Sequence, residues 1–569
     1  KMCHSYECYL MLLDTWSVYF DYLENYINQI AASKQHKDKR NVRDEKFESI
    51  KEPILSFLLF ILRSIQYSCN QDYLKHLDDQ TPEDDCRTEL ENYIYQSIEI
   101  VAKIADIYPE ETINYIDNYY NEKLQNLYYG LEFLVNNNNN NKPTPSSMMI
   151  NGDGKSYHCS SPTNDHHNHV PTEQLKLRLE DFIITLQVIS RFANYFIDIQ
   201  FEKYFLRIKM KFDKLCEILH FIEMHKFDND MYGQTTATNP FLSEFLMLKA
   251  QIIATFKAYI VWYQQVCCAS DKHSIQIAQA IDHITIIINT CCSIICDNNN
   301  CTHLSTIDHH HSITANVDCQ SPRISKCLDS KKKMFHSAAL TLNTFSANVR
   351  PSFVFNLQSV QRLFDQNFQS NLLKLNVTDK GKYESILPSL VDKILISQSI
   401  SNFLILPWFQ LSNEQQNWER RSICLNMFIG NFLHLFNDLD LSDSNRIIAT
   451  AMQDENIEAT KKCPNVYCRS LYILKQVIKS HSDSPLKSKQ MLLISLNSSL
   501  EAFIQLLTHN QLLNSTIVGC QITEHILSLF IVVFKVLFAR IHMDFVERTI
   551  QSLLQIINRH NFMVPISRD

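Results

Sequence analysis

Cysteine and histidine gather twice in this sequence, and both are soft enough to hold zinc. Cys291, Cys292, Cys296 and Cys301 precede His303 and the triple His309, His310 and His311. Cys159 precedes His166, His167 and His169. A structural zinc site pairs two Cys-x2-4-Cys or His units across ordered turns. Cys292 and Cys296 have such a separation, yet they fall in an apolar, helix-like run, so buried thiols are the expectation. "HFIEMH" at 220–225 places its glutamate three residues after the first histidine. The two-histidine hydrolase motif needs it directly after. Gly152 and Gly154 stand outside any phosphate-loop pattern, and no nucleophile elbow is present. The chemistry-bearing residues therefore point to no enzyme and no cofactor.

Two further groups are of a different kind. "DYLKHLDDQTPEDDCRTELE" (72–91) sets eight acids against Lys75 and Arg87, a local balance of −6 in a chain whose total is −8. Thr81 and Pro82 suit a helix start, and Glu83 and Asp84 suit the positive end of its dipole. Asp78, Asp79 and Asp85 exceed what capping needs. A solvated helical hairpin is the plain expectation, and Asp78, Asp79, Glu83, Asp84 and Asp85 form a candidate docking patch for a basic partner. "LILPWFQLSNEQQNWERRS" (404–422) holds two of the four tryptophans around one proline. Pro407 must stop the helix before it, and Ser412 with Gln415 has capping-box spacing. A link of about five residues would force an antiparallel helix pair, with Trp408 plugging the corner and Trp418 opening the next inner face. A tryptophan-based ligand site is the alternative.

The elements that must carry these groups follow from composition. Only 7 of 569 residues are glycine, against about 7% in an average protein. Tight β-turns and nucleotide-binding loops both need glycine, so sandwiches, barrels and Rossmann domains are excluded. Single cores stop growing near roughly 250–300 residues, which leaves several domains or an elongated repeat protein. Apolar residues recur at helical spacing. One such face is Leu179, Phe182, Ile183, Leu186, Ile189, Ala193, Phe196 and Ile197, and Leu90, Ile94, Ile98, Val101, Ile104 and Tyr108 form another. Trp418, Leu425, Ile429, Phe432 and Phe436 form a third. Pro53, Pro109, Pro240, Pro351, Pro388 and Pro407 read as punctuation between helices.

Residues 136–172 and 297–332 are polar, aperiodic and rich in Asn, Ser and His, so both are expected to be disordered insertions. They divide three runs of helical repeats, 1–135, 173–296 and 333–569. The expected fold is all-α, an α-solenoid of antiparallel helical hairpins, although no crisp repeat consensus can be counted. Eighteen cysteines spread over this length suit reduced, mostly buried thiols. The negative balance opposes nucleic-acid binding. "ILSFLLFIL" (54–62) and "ILSLFIVVFKVLFA" (526–539) read as core helices and not as membrane spans, which need about 20 apolar residues. The first residue is Lys1, so a longer parent chain is expected.

Several stretches, in order along the chain, resemble the karyopherin-β exportins, in particular the branch that carries actin with profilin out of the nucleus. They are "LDTWSVYFDYL" (13–23), "LDDQTPEDDCRTELENYIYQSIEIVAKI" (77–104), "RFANYFI" (191–197), "VRPSFVFNLQSVQRLF" (349–364), "ILPWFQLSNEQQNW" (405–418) and "ILSLFIVVF" (526–534). The resemblance implies HEAT-like hairpins curved into a superhelix. It implies cargo bound cooperatively with Ran-GTP, passage along nuclear pore proteins, and shuttling between nucleus and cytoplasm. The stretches correspond to a central portion of such a receptor, without the N-terminal repeats that usually grip Ran, so no Ran-contact residues carry over. A helical scaffold with no nucleotide switch and an import receptor of the same superfamily are the alternatives.

Overall fold

Thr88 shows how locally these helices are specified. Its hydroxyl accepts from the Glu91 N–H at 3.1 Å, and the Glu91 carboxylate accepts from the Thr88 N–H at 3.3 Å. This reciprocal box fixes the start of the helix Glu89–Ile107, and Ser389 with Asp392 does the same for Leu390–Ile405. In the first of these helices the expected stripe Leu90, Ile94, Ile98, Val101 and Ile104 is buried. Pro109 then opens the next helix at its first position, where a missing N–H costs nothing.

The protein was described as a computed structural model covering residues 6–32, 38–78, 88–140, 170–227, 240–268, 274–298, 322–373, 388–409, 411–434, 436, 466–508, 517–537, 541 and 543–559. Among them there is no strand. Helices α1 to α8 are Tyr6–Ala32, Asp38–Ser64, Tyr67–Asp78, Glu89–Ile107, Pro109–Asn140, Val170–Arg191, Phe201–Met224 and Leu242–Ala258. Helices α9 to α15 are Ile260–Cys268, Ser274–Asn298, Pro322–Asn348, Gln358–Leu363, Gln366–Leu373, Leu390–Ile405 and Trp418–His434. Helices α16 to α19 are Val466–Ser480, Leu486–Thr508, Ile517–Leu537 and Met543–Arg559.

The chain forms two units, Lys1–Phe196 with Phe221–Ala258, and Ile197–His220 with Tyr259–Asp569. In the first, α4 lies against α1, α2, α3 and α5, and α6 against α3, α5 and α8. Asp181 on α6 is buried there, accepts from the Ser68 N–H at 3.2 Å and lies 3.6 Å from the ammonium of Lys123 on α5. One ion pair thus ties three elements. In the second unit the helices form two rows. One row packs α9 on α11, α11 on α14, α14 on α16 and α16 on α18. The other packs α10 on α12, α13 on α15, α15 on α17 and α17 on α19. Helices also meet across the rows, as α10 meets α9 and α11 and α15 meets α14 and α16, the pattern of an α-solenoid of HEAT-like hairpins.

Neutral amides cross-link the first row. Gln264 Nε2 donates to the Asn348 carbonyl at 3.1 Å, and Asn402 Nδ2 donates to Asn343 Oδ1 and Ser346 Oγ, both at 3.2 Å. His481, fully buried at the end of α16, meets Ser401 Oγ through Nε2 and Ser484 Oγ through Nδ1, each at 3.0 Å. Burial pushes its pKa down to about 4 from 6.5. A lowered folded-state pKa stabilises the fold above the unfolded value, and that share is lost as pH falls from 6.5 towards 4. Urea midpoints should therefore drop by the equivalent of about 2–3 kcal/mol between pH 7 and pH 4 through this group. His481→Gln should flatten that part of the pH profile.

The helices depart from sequence expectation in four places. The run expected to continue to Ile197 leaves α-helical form at Arg191 and tightens into 3-10 turns at Ala193–Phe196 and Asp198–Gln200. Those turns let Phe192, Ala193 and Phe196 all bury, and Asp198 adopts a left-handed φ of 53°. Pro53 lies inside α2, not between helices. It is on the exposed side, where water serves a carbonyl left without its N–H donor. Helices reach into both expected insertions: α5 runs to Asn140, α6 starts at Val170, α10 ends at Asn298 and α11 starts at Pro322. Ser330 is buried within α11, so packing reaches a residue whose polar surroundings in the sequence do not announce it. The remainder, 141–169 and 299–321, lies outside the described residues. Finally, among the described residues three helical stretches are long and apolar enough to cross a membrane, at Ile277–Asp297, Leu486–Leu507 and Gly519–Leu537, where the sequence reading placed the last one short. On them Ile284, Ile288, Leu496, Phe503, Ile526 and Val533 are buried among neighbouring helices, while Ile286, Ile494 and Ile531 are exposed.

Candidate functional site

The corner after α14 is built around a residue absent from the sequence reading, Arg421. It is fully buried in the first turn of α15, one helical step from Trp418 and one from Leu425. Its Nε donates to the Leu404 carbonyl at 2.9 Å, Nη1 donates to the Gln416 carbonyl at 3.2 Å, and Nη2 donates to the Leu406 carbonyl. These include the last carbonyls of α14, which have no partner within the helix. Trp408 and Trp418 lie on the guanidinium with ring centroids 4.8 and 4.4 Å from Cζ. The two tryptophans are therefore together because they enclose one cation. Burial, then Arg350, pushes the Arg421 pKa down to about 9, which still leaves it charged at neutral pH. No carboxylate pairs with it among the described residues; carbonyl oxygens and π-faces replace one.

Gln416 completes the corner. The Trp408 N–H donates to its Oε1 at 2.6 Å, and its Nε2 donates to the Trp408 and Leu411 carbonyls, both at 3.0 Å. Arg350 Nε donates to the Pro407 carbonyl at 2.9 Å. Pro407 does end α14, and Trp408 is buried. Two expectations need correction. The link runs from 406 to 417, not about five residues, because it contains a 3-10 turn at Glu414–Gln416. Ser412 does not cap α15: its N–H donates to Gln415 Oε1 at 3.1 Å beside the 3-10 turn, and Asn417, left-handed at φ 51°, leads into α15. Asparagine tolerates that conformation better than most residues. The donors of Arg421, Gln416 and Arg350 serve carbonyls within the corner, so it is a structural joint.

The other candidates separate. Asp79, Glu83, Asp84 and Asp85, with Thr81, lie outside the described residues, and Asp78 is the last residue of α3. Cys291, Cys292 and Cys296 are buried on α10, and burial holds the Cys292 thiol well above its usual pKa and pushes Cys296 up to about 12. Cys292 and Cys296 are therefore protonated, apolar side chains at neutral pH. Cys159, His166, His167, His169, Cys301, His303, His309, His310 and His311 lie outside the described residues. Among the described residues no group of three or more metal-ligating side chains comes together. His220 and Glu223 are exposed on α7, while His225 stacks beyond its end between Phe221 and Phe227.

One relay resembles catalytic machinery. Lys209 Nζ donates to Asp213 at 2.8 Å, Asp213 Oδ1 lies 2.8 Å from His283 Nε2, and His283 Nδ1 lies 3.4 Å from the Tyr263 hydroxyl. Burial depresses the His283 pKa, and Tyr263 is wholly enclosed. The relay joins α7, α9 and α10.

No protein-family model matches the chain, and no solved structure matches it. Curated proteins do. Exportin-6 of Danio rerio is 25% identical over 569 residues, and exportin-6-A of Xenopus laevis 26% over 567, each covering 99% of this chain. The chain is similar to exportin-6 along nearly its whole length. Homo sapiens exportin-6 is 23% identical over 563 residues, again 99% of this chain. The chain spans about 41% of the length of the exportin-6 relatives from Danio and Xenopus. The similarity crosses both units and both polar insertions, so it covers the helical stack as a whole.

Proposed function

We propose that the chain is a central portion of a nuclear export receptor that binds cargo together with Ran-GTP and moves through the pore along nuclear pore proteins. The cargo proposed is actin with profilin. The observation that carries this is the end-to-end similarity to exportin-6 on a stack of helical hairpins. The physics suits the task. In a stack where each hairpin touches only its neighbours, small rotations add up, so two ligands that favour the same shape favour each other. A receptor of this kind makes and breaks no bond itself. It works in nucleus and cytoplasm alike, without nucleic acid or membrane insertion, its long apolar helices serving as core. The acidic stretch Asp78, Asp79, Glu83, Asp84 and Asp85 is proposed as a secondary contact for a basic surface.

The full-length protein should retain Ran loaded with GTP about 5–150-fold better than Ran loaded with GDP, the range of ordinary coupling energies. Quantitative pull-down with the two nucleotide forms checks this. Equal retention would favour a scaffold with no nucleotide switch.

A further inference from the structure

A short turn, residues 481–485, joins α16 to α17. Five serines or threonines in this chain stand directly before proline: Thr81, Thr144, Ser161, Ser321 and Ser484. Ser484 alone of these has a basic side chain three positions on, in Ser484-Pro485-Leu486-Lys487, and it alone falls within the described residues. Proline keeps helical form away from the residue before it, so α17 starts only after Ser484. Ser482, Asp483, Pro485 and Lys487 are exposed, Leu486 is 52% exposed, and Ser484 is half-buried.

The turn touches the corner of α14 and α15 through three side chains. His481 meets Ser484 Oγ through Nδ1 and Ser401 Oγ of α14 through Nε2, each at 3.0 Å. Lys487 Nζ lies 5.2 Å from the centre of the Trp418 ring, at the start of α15. Ser488 Oγ donates to the Ile405 carbonyl, at the end of α14, at 2.8 Å. The surroundings suit an anion. Lys479, Lys487 and Lys489 lie within five residues of Ser484, against the single acid Asp483. The first N–H groups of α17 have no partner within the helix, and its dipole favours negative charge.

We propose that Ser484 is a phosphorylation site for a proline-directed protein kinase that selects a basic residue three positions after the serine. The Ser484 oxygen attacks the γ-phosphorus of ATP, and the bond from that phosphorus to the ADP oxygen breaks. The hydroxyl proton passes to the base of the kinase, so phosphoserine, ADP and a proton result. Extending the chain into the kinase as far as Lys487 opens the bond from the Lys489 N–H to the Pro485 carbonyl, 3.1 Å long and at the very start of α17. That is fraying of a helix end, and Ser488 holds the rest of the helix in place. The phosphate, with about two negative charges, then accepts from the free N–H groups of α17 and draws Lys487 off Trp418. The modification thus reaches the corner built on Arg421. The site stands whether or not the export function does.

The test incubates the whole chain, Lys1–Asp569, and a synthetic peptide of residues 479–489 with ATP and a cyclin-dependent kinase, a proline-directed enzyme. Mass spectrometry locates the phosphate. Ser484 should be modified in both, and Ser482, exposed in the same turn but not followed by proline, in neither. Ser484→Ala should abolish the modification. Pro485→Ala and Lys487→Ala should each slow it about tenfold or more, in the peptide as well as in the chain, so that a folding defect cannot account for the loss. Hydrogen exchange across residues 485–490 of the phosphorylated chain should slow about fivefold, and Ser484→Ala treated in the same way should show no slowing. A folded chain left unmodified beside a modified peptide would overturn the proposal, since the turn would be closed to the kinase. So would an unmodified peptide, phosphate on Ser482 in place of Ser484, or undiminished rates for Pro485→Ala and Lys487→Ala. Unchanged or faster exchange would overturn the docking of the phosphate on α17.

Discussion

Replacing Arg421 by alanine should destabilise the second unit by about 3–5 kcal/mol, among the largest effects a single substitution produces. Three buried carbonyls, of Leu404, Leu406 and Gln416, would each lose a donor at about 1 kcal/mol or more. The two tryptophans would also lose the cation between them and face a cavity. Arg421→Met fills the volume and keeps no donor, so it should recover only the cavity share. Arg421→Lys keeps charge but lacks the planar fork that reaches three oxygens, and should fall between. Tryptophan fluorescence during urea unfolding reports the corner, since Trp408 and Trp418 flank the substituted position. A midpoint change equivalent to under about 0.5 kcal/mol for Arg421→Ala would show that water replaces the guanidinium freely.

Trp262→Ala should cost a similar amount, about 3–5 kcal/mol, through a large void. Trp262 is fully buried on α9, stacked on Phe205 at 5.6 Å and close to Phe201, Phe212 and Tyr263. These rings hold α7 against α9. Trp262→Phe should be far milder, about 1 kcal/mol, because the indole N–H is buried with no hydrogen-bond partner, and phenylalanine sheds that burden with little loss of contact. Thermal unfolding of the two variants side by side separates the cases. Equal costs would mean that the N–H is served after all and that packing is not the main term.

Helix type and core faces could be read from the sequence because both are local. The stripe from Leu90 to Ile104 and the prolines at 109, 351, 388 and 407 act within one or two turns of themselves, and so does the scarcity of glycine. Arg421 could not be placed, because its partners on α14 lie fifteen and seventeen residues away and depend on how the corner closes. One signal was available: Arg421 occupies the stripe running from Trp418 to Leu425, where a charged residue is out of place unless something inside needs it. The corner's length was misjudged for a related reason. Ser412 and Gln415 do make their hydrogen bond, but it starts a 3-10 turn, and only the left-handed Asn417 launches α15. Likewise, the composition of 322–332 reads as polar, whereas tertiary packing buries Ser330 and extends α11.

The most direct measurement is the affinity of the full-length protein for actin–profilin with and without saturating Ran-GTP, by isothermal titration or anisotropy. An export receptor predicts that Ran-GTP tightens cargo binding by about 5–150-fold, and that cargo tightens Ran-GTP by the same factor. Weaker cargo binding in the presence of Ran-GTP would reverse the direction of transport, and unchanged affinity in both titrations would contradict the coupling altogether.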